Sequence, residues 1–479
     1  MKIRHAAVVV ALALVAGACG SDEESSSTEA PAGTEAAAAT DAAAATDAPA
    51  ATDAATATDA PAGTDAAAGT DAPASGDLGS AAENGDSGCI VSGGGEATGE
   101  PIKVGSIQSK TGPDDFSSSG QGAKAYFECV NANGGIDGRP IEYMIEDDQW
   151  APEVAAQAAS KLVNDEEVVA MVGSSSFVEC GTNEALYEET NTIAVYGTGV
   201  PRECFASKNI SPTNAGPRNS NLGAAQYLAR ENGAKSFVCI SQNIPNTGGW
   251  VCDGLEAWAS SEGLTSRSLL HDPAAPDFGS ILQDALSEEP DAIILMEPAG
   301  LAAAFLAEAE KQDLRDEALW AGPTSLYLNT FPDTIGDYWW GHLTVQAELT
   351  TIDAQTTDNL AWLATMEQYG NADDPRDTFS QAGWLAAKIF TPTALEVGGD
   401  SVTREAMTAA LPEVKNYRSD LMCTPWYFGP GDRHNANHAG RVMQIAEDGT
   451  YTLVQDCQEV TDPELADILA LEASEGLVG

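Results

Sequence analysis

From residue 102 onward, short apolar runs alternate with stretches of helical period, and the changes of period fall at Gly, Pro, Asn or Asp. Residues 102–107 read as a strand broken by Gly112-Pro113, and the next stretch places Ala123, Phe127 and Val130 on one helix face before Asn133-Gly134-Gly135 stops it. A strand over 139–145 and a helix running to Val163 follow. The segment 168–201 is the organising unit: an apolar strand ends in Gly173-Ser174-Ser175-Ser176, a short helix follows, and a second apolar run, 193–196, ends in Gly197-Thr198-Gly199. Both polar stretches read as loops at the carboxyl ends of neighbouring parallel strands, where α/β sheets hold ligands. Hydroxyls and free N–H groups beside a helix N-terminus suit a small anion, although the same serines equally serve as helix caps.

The alternation continues with helices over 219–232, 249–262, 277–287 and 298–312, and strands over 236–240, 264–270 and 291–296. So many βα units in series predict an α/β fold of doubly wound parallel sheets, two rather than one. Residues 342–349 then read as a strand returning between sheets, 358–369 and 379–397 as helices, and the regions near Trp426, Val442 and Tyr451 as short strands.

The first hundred residues change the picture. Lys2 and Arg4 precede an apolar run over 6–16 and then Gly17-Ala18-Cys19, the layout of a secretory leader. It resembles a bacterial lipoprotein signal, which implies lipidation at Cys19, although Ala16 stands where such signals usually carry Leu. Ordinary cleavage with a free thiol, or an uncleaved anchor, are the alternatives. Over 20–100, Ala, Thr, Asp, Gly and Pro dominate and acids recur at every sixth position from Glu35 through Asp41, Asp47, Asp53, Asp59, Asp65 and Asp71 to Asp77. That spacing makes neither a helix stripe nor a strand face, and so little apolar content cannot offset the entropy of ordering. The segment therefore reads as a disordered acidic tether, with a composition that also suits O-glycosylation.

A net charge of -51 argues against nucleic acid and anionic membrane surfaces as partners, which need clustered Lys and Arg. It is compatible with a salt-rich habitat. Of nine cysteines, setting Cys19 aside leaves eight, an even number suited to a disulfide framework in an exported protein. Sequence alone leaves the connectivity of eight cysteines open; local pairing would join Cys180 to Cys204, Cys239 to Cys252, Cys423 to Cys457 and Cys89 to Cys129. The first pair follows the two central loops at adjacent strand ends, within reach of a bridge.

Ile102-Lys103-Val104-Gly105, Thr111-Gly112-Pro113, the turn Asn131-Ala132-Asn133-Gly134-Gly135-Ile136-Asp137-Gly138, and Asp147-Asp148 before a helix resemble the start of the leucine/isoleucine/valine-type solute-binding proteins of ABC transporters. The similarity runs from Ile102 to about Val454. It implies the type I periplasmic-binding-protein fold: two lobes joined by three crossings, here near Thr213, Ala347 and Pro425, closing over a small polar ligand such as an amino acid or amide. The corresponding division is a leader at 1–19, the tether at 20–100, a first lobe at 101–213 plus 347–425, a second at 214–346 plus 426–456, and a tail at 457–479. The resemblance further implies delivery of the ligand to a permease from the outer face of the cell membrane, with sensing through a membrane partner as the alternative function.

No enzyme signature is complete: Gly173-Ser174-Ser175-Ser176-Phe177 lacks the last Gly of a nucleophile elbow, and no Walker loop or His-Glu-x-x-His occurs. No catalytic residue, metal or cofactor is expected. His434 and His438 would share a helix face, but Gly429-Pro430-Gly431 before them favours a loop over a metal site. Asp147-Asp148 reads as a turn cap rather than a metal pair. Carboxyl strand ends facing the cleft make Ser174, Ser175, Ser176, Thr198 and the Gly199 N–H the candidate ligand contacts of the first lobe, with Asn243, Glu297, Thr324 and Tyr327 approaching from the second. Glu297 could meet an ammonium or cap the helix after Pro298. Relatives that bind aliphatic amino acids carry a glutamate after a Gly-Pro pair; here Gly322-Pro323 is followed by Thr324, which hydrogen-bonds but neutralises no charge.

Overall fold

The computed structural model describes residues 88–478, so the leader, the Cys19 site and the whole acidic repeat lie outside the described residues. Two sheets of seven strands each carry the alternating pattern. The first comprises β1 (Ile102–Gln108), β2 (Ile141–Asp147), β3 (Ala170–Val172), β4 (Ser175–Ser176), β5 (Ile193–Tyr196), β6 (Thr198–Gly199) and β7 (Ile210–Pro212). All its pairings are parallel, with β1 between β2 and β3, and then β5 and β7. The second comprises β8 (Ser236–Gln242), β9 (Thr265–His271), β10 (Ala292–Met296), β11 (Leu319–Gly322), β12 (Leu343–Ala347), β13 (Ala439–Ile445) and β14 (Tyr451–Glu459). Its order is β14-β13-β12-β11-β10-β8-β9; β8 to β12 run parallel, and β13 and β14 close one edge antiparallel.

The two central polar stretches are not loops. After the positive φ of 76° at Gly173, pairing resumes, with Ser175 against Thr198 and Ser176 against Gly199. A Cβ on Gly173 would stand 2.7 Å from the Ala123 Cβ, so a helix packs where any larger residue would collide. The strands thus continue past a kink, and this decides what the serines can do.

Each lobe has its own core. In the first, helices Ser118–Ala132 and Thr378–Val397 cover the sheet, burying Tyr126, Phe127, Trp384 and Phe390 over Val104, Val172 and Val195. In the second, Ile293, Leu295 and Val345 pack under Phe305, Trp320 and Trp339. The chain leaves the first sheet after Pro212 for the helix Pro217–Glu231, and re-enters the first core at Leu349. Trp426, Tyr427 and Phe428 still belong to that core, and β13 begins only at Ala439. The third passage therefore falls near residues 436–439 rather than near Pro425, because the Trp426 Nε1–H donates to the Pro212 carbonyl at 2.9 Å and holds this stretch to the first lobe.

Both ends of the described residues are also more structured than composition suggests. Within 88–100, Cys89 and Ile90 are fully buried, the Ile90 N–H donates to the Tyr126 hydroxyl at 2.9 Å, and the Ala97 N–H to the Asn131 carbonyl at 2.8 Å. Two apolar side chains are enough to seat a stretch whose composition otherwise matches the tether. Beyond Glu459, the helix Ala466–Glu475 returns to the first core through Leu471 and Leu477, rather than forming a tail. Four disulfides join Cys89 to Cys129, Cys180 to Cys204, Cys239 to Cys252 and Cys423 to Cys457, with Cα separations of 6.1, 5.2, 5.6 and 5.3 Å. Among the described residues, no helix is long and apolar enough to cross a membrane.

Candidate functional site

Because β4 is a strand, its serines are spent inside the lobe. The Ser174 hydroxyl accepts from the Ile107 N–H at 3.1 Å and faces Glu179 Oε1 at 3.4 Å. Ser176 Oγ accepts from the Val178 and Glu179 N–H groups at 3.1 and 2.9 Å and hydrogen-bonds Asp148, so it caps the helix Glu179–Glu189. Ser175 is buried in the ladder. Asp147 and Asp148 also serve the turn: Asp147 Oδ1 accepts from the Lys110, Thr111 and Gln149 N–H groups, and Asp148 Oδ1 from that of Trp150. The Gly199 N–H is occupied as well, donating to Asn214 Oδ1 at 2.8 Å while Asn214 Nδ2 donates back to the Gly199 carbonyl at 3.1 Å. Thr198 differs from them all: its hydroxyl is buried and has no protein partner.

In the second lobe, Glu297 follows β10 and meets His271 at the end of β9, with Nε2 to Oε1 at 2.7 Å. Burial pushes the Glu297 carboxyl above the usual range against the pull of His271. Burial also opposes charge on His271, yet the hydrogen bond to Glu297 leaves its value raised above 6.5. Both values move up: burial raises the carboxyl, and the carboxylate partner raises the ring. The helix Ala299–Lys311 beyond Pro298 gains its anion from elsewhere: Asp114 Oδ2 of the first lobe accepts from the Gly300 N–H at 2.9 Å. Thr324 donates its N–H to Ser220 Oγ at 2.8 Å and accepts from the Glu348 N–H at 3.4 Å. Tyr327 is a core residue, edge-on to Tyr451 at 4.8 Å, with its hydroxyl accepting from the Ile352 N–H and burial pushing it up to about 12. Asn243 lies exposed.

A cavity between the lobes unites only part of the expected set: Thr198 and Gly199 on one side, Glu297 and Thr324 on the other. Its free interior is about 30 Å³, within a concavity of about 390 Å³ that opens to solvent. Ser174, Ser175, Ser176, Asn243 and Tyr327 do not line it. Phe116, Phe177 and Phe379 form an aromatic corner, with Phe116 edge-on to Phe379 at 4.9 Å and 5.2 Å from Phe177. Ser109 and Phe177 are joined by a 3.1 Å hydrogen bond that fixes this corner to β1.

Sequence reasoning missed Glu348. It directly follows β12, is 2% exposed, and lines the cavity. Burial pushes its carboxyl up to about 7; the donors nearest it, Asn214 and the Gly216 and Ala215 N–H groups, oppose that rise. Ser220 opposes it too, yet no contact to either carboxylate oxygen has full hydrogen-bond geometry. The signal was present: an acid after an apolar strand is what singled out Glu297, and the same rule applied to 343–347 selects Glu348.

His434 and His438 each have separate business. The first, buried, places Nδ1 2.6 Å from the Phe428 carbonyl, and the second places Nε2 3.2 Å from Glu472 Oε2.

Residues 101–450 match the family described as periplasmic binding protein. No curated protein sequence matches the chain. Among solved structures, the fatty acid ABC transporter substrate-binding protein of Thermomonospora curvata is similar, with a TM-score of 0.66 and 21% identity over 77% of this chain and 95% of that one. A solute-binding protein from R. palustris in complex with 4-hydroxybenzoate gives 0.65 and 18%, over 77% and 100%. The branched-chain amino acid transporter substrate-binding protein LivJ of Streptococcus pneumoniae, in complex with isoleucine, gives 0.62 and 15%, over 76% and 100%. At these identities the structures speak for the fold.

Proposed function

Because this chain belongs to the periplasmic binding protein family, we propose that it captures a small solute in the cleft between its lobes and delivers it to an ABC transporter permease. The carrying observation is the cavity itself, to which the carboxyl ends of strands in both sheets contribute, through Thr198 from the first and Glu297, Thr324 and Glu348 from the second. The family is one of substrate-binding proteins rather than enzymes, and the polar groups at the cleft are suited to holding a ligand by hydrogen bonds of about 0.5 to 1.5 kcal/mol each.

Cys19 carries lipid in this reading, so the folded body works at the outer face of the cell membrane on the acidic segment that precedes residue 88. Ligands named for structural neighbours, isoleucine, 4-hydroxybenzoate and fatty acid, share an apolar body. The aromatic corner of Phe116, Phe177 and Phe379 offers an apolar surface for such a body once the lobes part.

Native mass spectrometry of the purified full chain tests the capture: a retained small molecule is expected, and calorimetry with that molecule should show weaker binding by Thr198→Val. Retention unaffected by that substitution and by Thr324→Val would place the site elsewhere. Inhibition of lipoprotein signal processing should leave the precursor uncleaved; normal maturation under the inhibitor would remove the lipid anchor from the reading.

A further inference from the structure

We propose that the cleft selects a monocationic amphiphile, an ammonium group on an aromatic or branched aliphatic body, with the Glu348 carboxylate as its charge partner. This rests on the cleft being the ligand site. Of the two carboxylates that line the cavity, Glu297 is bound through Oε1 to His271 at 2.7 Å and leaves only Oε2 unsatisfied, while neither oxygen of Glu348 makes a hydrogen bond of full geometry and its neighbours Asn214, Ala215, Gly216 and Ser220 offer neutral donors and no counter-charge. A carboxylate that is 2% exposed and unpaired is costly to keep, and a ligand cation removes that cost. The Thr198 hydroxyl, 4% exposed and also without a partner, lines the same cavity and can accept a hydrogen bond from an ammonium N–H.

What the lining lacks points the same way. Among the described residues, no Lys, Arg or His side chain lines the cavity. A free carboxylate on the ligand would face two buried acids and no counter-charge, so an amino acid zwitterion or a simple organic acid is disfavoured. The corner of Phe116, Phe177 and Phe379 takes the apolar body, and its ring faces attract a cation. The net charge of -51 draws cations toward the protein and repels anions.

The test is calorimetry on the full chain with two matched probe sets: phenethylamine, phenylalanine and hydrocinnamate, then isoamylamine, leucine and isocaproate. In at least one set the amine should bind about tenfold tighter than its amino acid or its acid. Glu348→Gln should weaken that amine about thirtyfold or more, and Glu297→Gln much less. Glu348→Gln should also leave Tm unchanged or raise it, because it removes an uncompensated buried acid; a purely structural residue would lower it. Thr198→Val provides a second variant, expected to weaken the amine about threefold to tenfold. Tighter binding of an amino acid or acid, weakened by Thr198→Val, would overturn the ligand class and leave the cleft reading intact. Binding untouched by both substitutions, or no amine binding, would overturn the class and remove this support for the cleft.

Discussion

Glu179 shows how far a single buried acid can depart from its ordinary behaviour. It opens the helix Glu179–Glu189, is enclosed, and accepts from the Tyr187 hydroxyl at 2.6 Å. Burial pushes its carboxyl from 4.5 up to about 8, against the hydrogen bond from Tyr187. The folded state therefore holds a proton that the unfolded chain releases above pH 4.5. Its contribution to stability is full below that value and is lost as pH rises through about 8. The slope in that window is at most about 1.4 kcal/mol per pH unit. Glu179→Gln keeps the shape without the titration, so unfolding by urea at about pH 5 and about pH 9 should show a smaller loss for the variant than for the parent. An identical loss in both would show that Glu179 does not carry the effect. The serines beside it teach a different lesson: their residue type was legible, but their use was not, since a hydroxyl bonds whatever the backbone brings near.

At the level of elements, the two long helices of the first lobe meet without intervening side chains. A Cβ on Gly383 would stand 1.8 Å from the Ser119 carbonyl oxygen, and one on Gly122 2.1 Å from that of Ser380. Gly383→Ala must push the helices apart, at a cost of about 3 kcal/mol or more, read as a lowered denaturation midpoint. A change under about 0.5 kcal/mol would mean that the helices are not held this closely. The Cys180–Cys204 bridge spans 24 residues of sequence and ties the helix after β4 to the turn after β6. Replacing both cysteines by serine should cost about 2 to 4 kcal/mol with the other bridges intact. A cost near zero would indicate that the unfolded chain is already constrained there. Helices and longer strands were legible because their periods are set by burial on one face. Strands β4 and β6 were not, since Ser-Ser and Thr-Gly carry no apolar period and pair only because the preceding strands align them.

Across the whole molecule, the lobes touch through small polar contacts on either side of the cavity. Asp114 of the first lobe accepts from the Gly300 N–H of the second at 2.9 Å, the Arg202 N–H donates to the Asn246 carbonyl at 2.8 Å, and Asn329 Nδ2 donates to the Arg376 carbonyl at 3.1 Å. Asp114 sits at the N-terminus of a thirteen-residue helix, where an anion is favoured. Asp114→Ala should therefore bias the free protein toward a more open arrangement, seen as a larger radius of gyration in solution scattering. Ligand affinity should fall about threefold to tenfold, since closure then costs more. An unchanged radius with unchanged affinity would show that this contact does not govern closure.

The order of strands and helices, the existence of two sheets, and the family resemblance followed from the sequence alone, because each depends on local period, turn chemistry and short motifs. Thr198, Glu297 and Thr324 were also found at strand ends by position. What only the tertiary structure decided was which of those polar groups remained unpaired. Ser174, Ser176 and the Gly199 N–H meet partners on other segments, whereas the Glu348 carboxylate and the Thr198 hydroxyl make no hydrogen bond of full geometry. Hydrogen-bond satisfaction is a property of neighbours brought together from distant parts of the chain, and no spacing along the sequence records it.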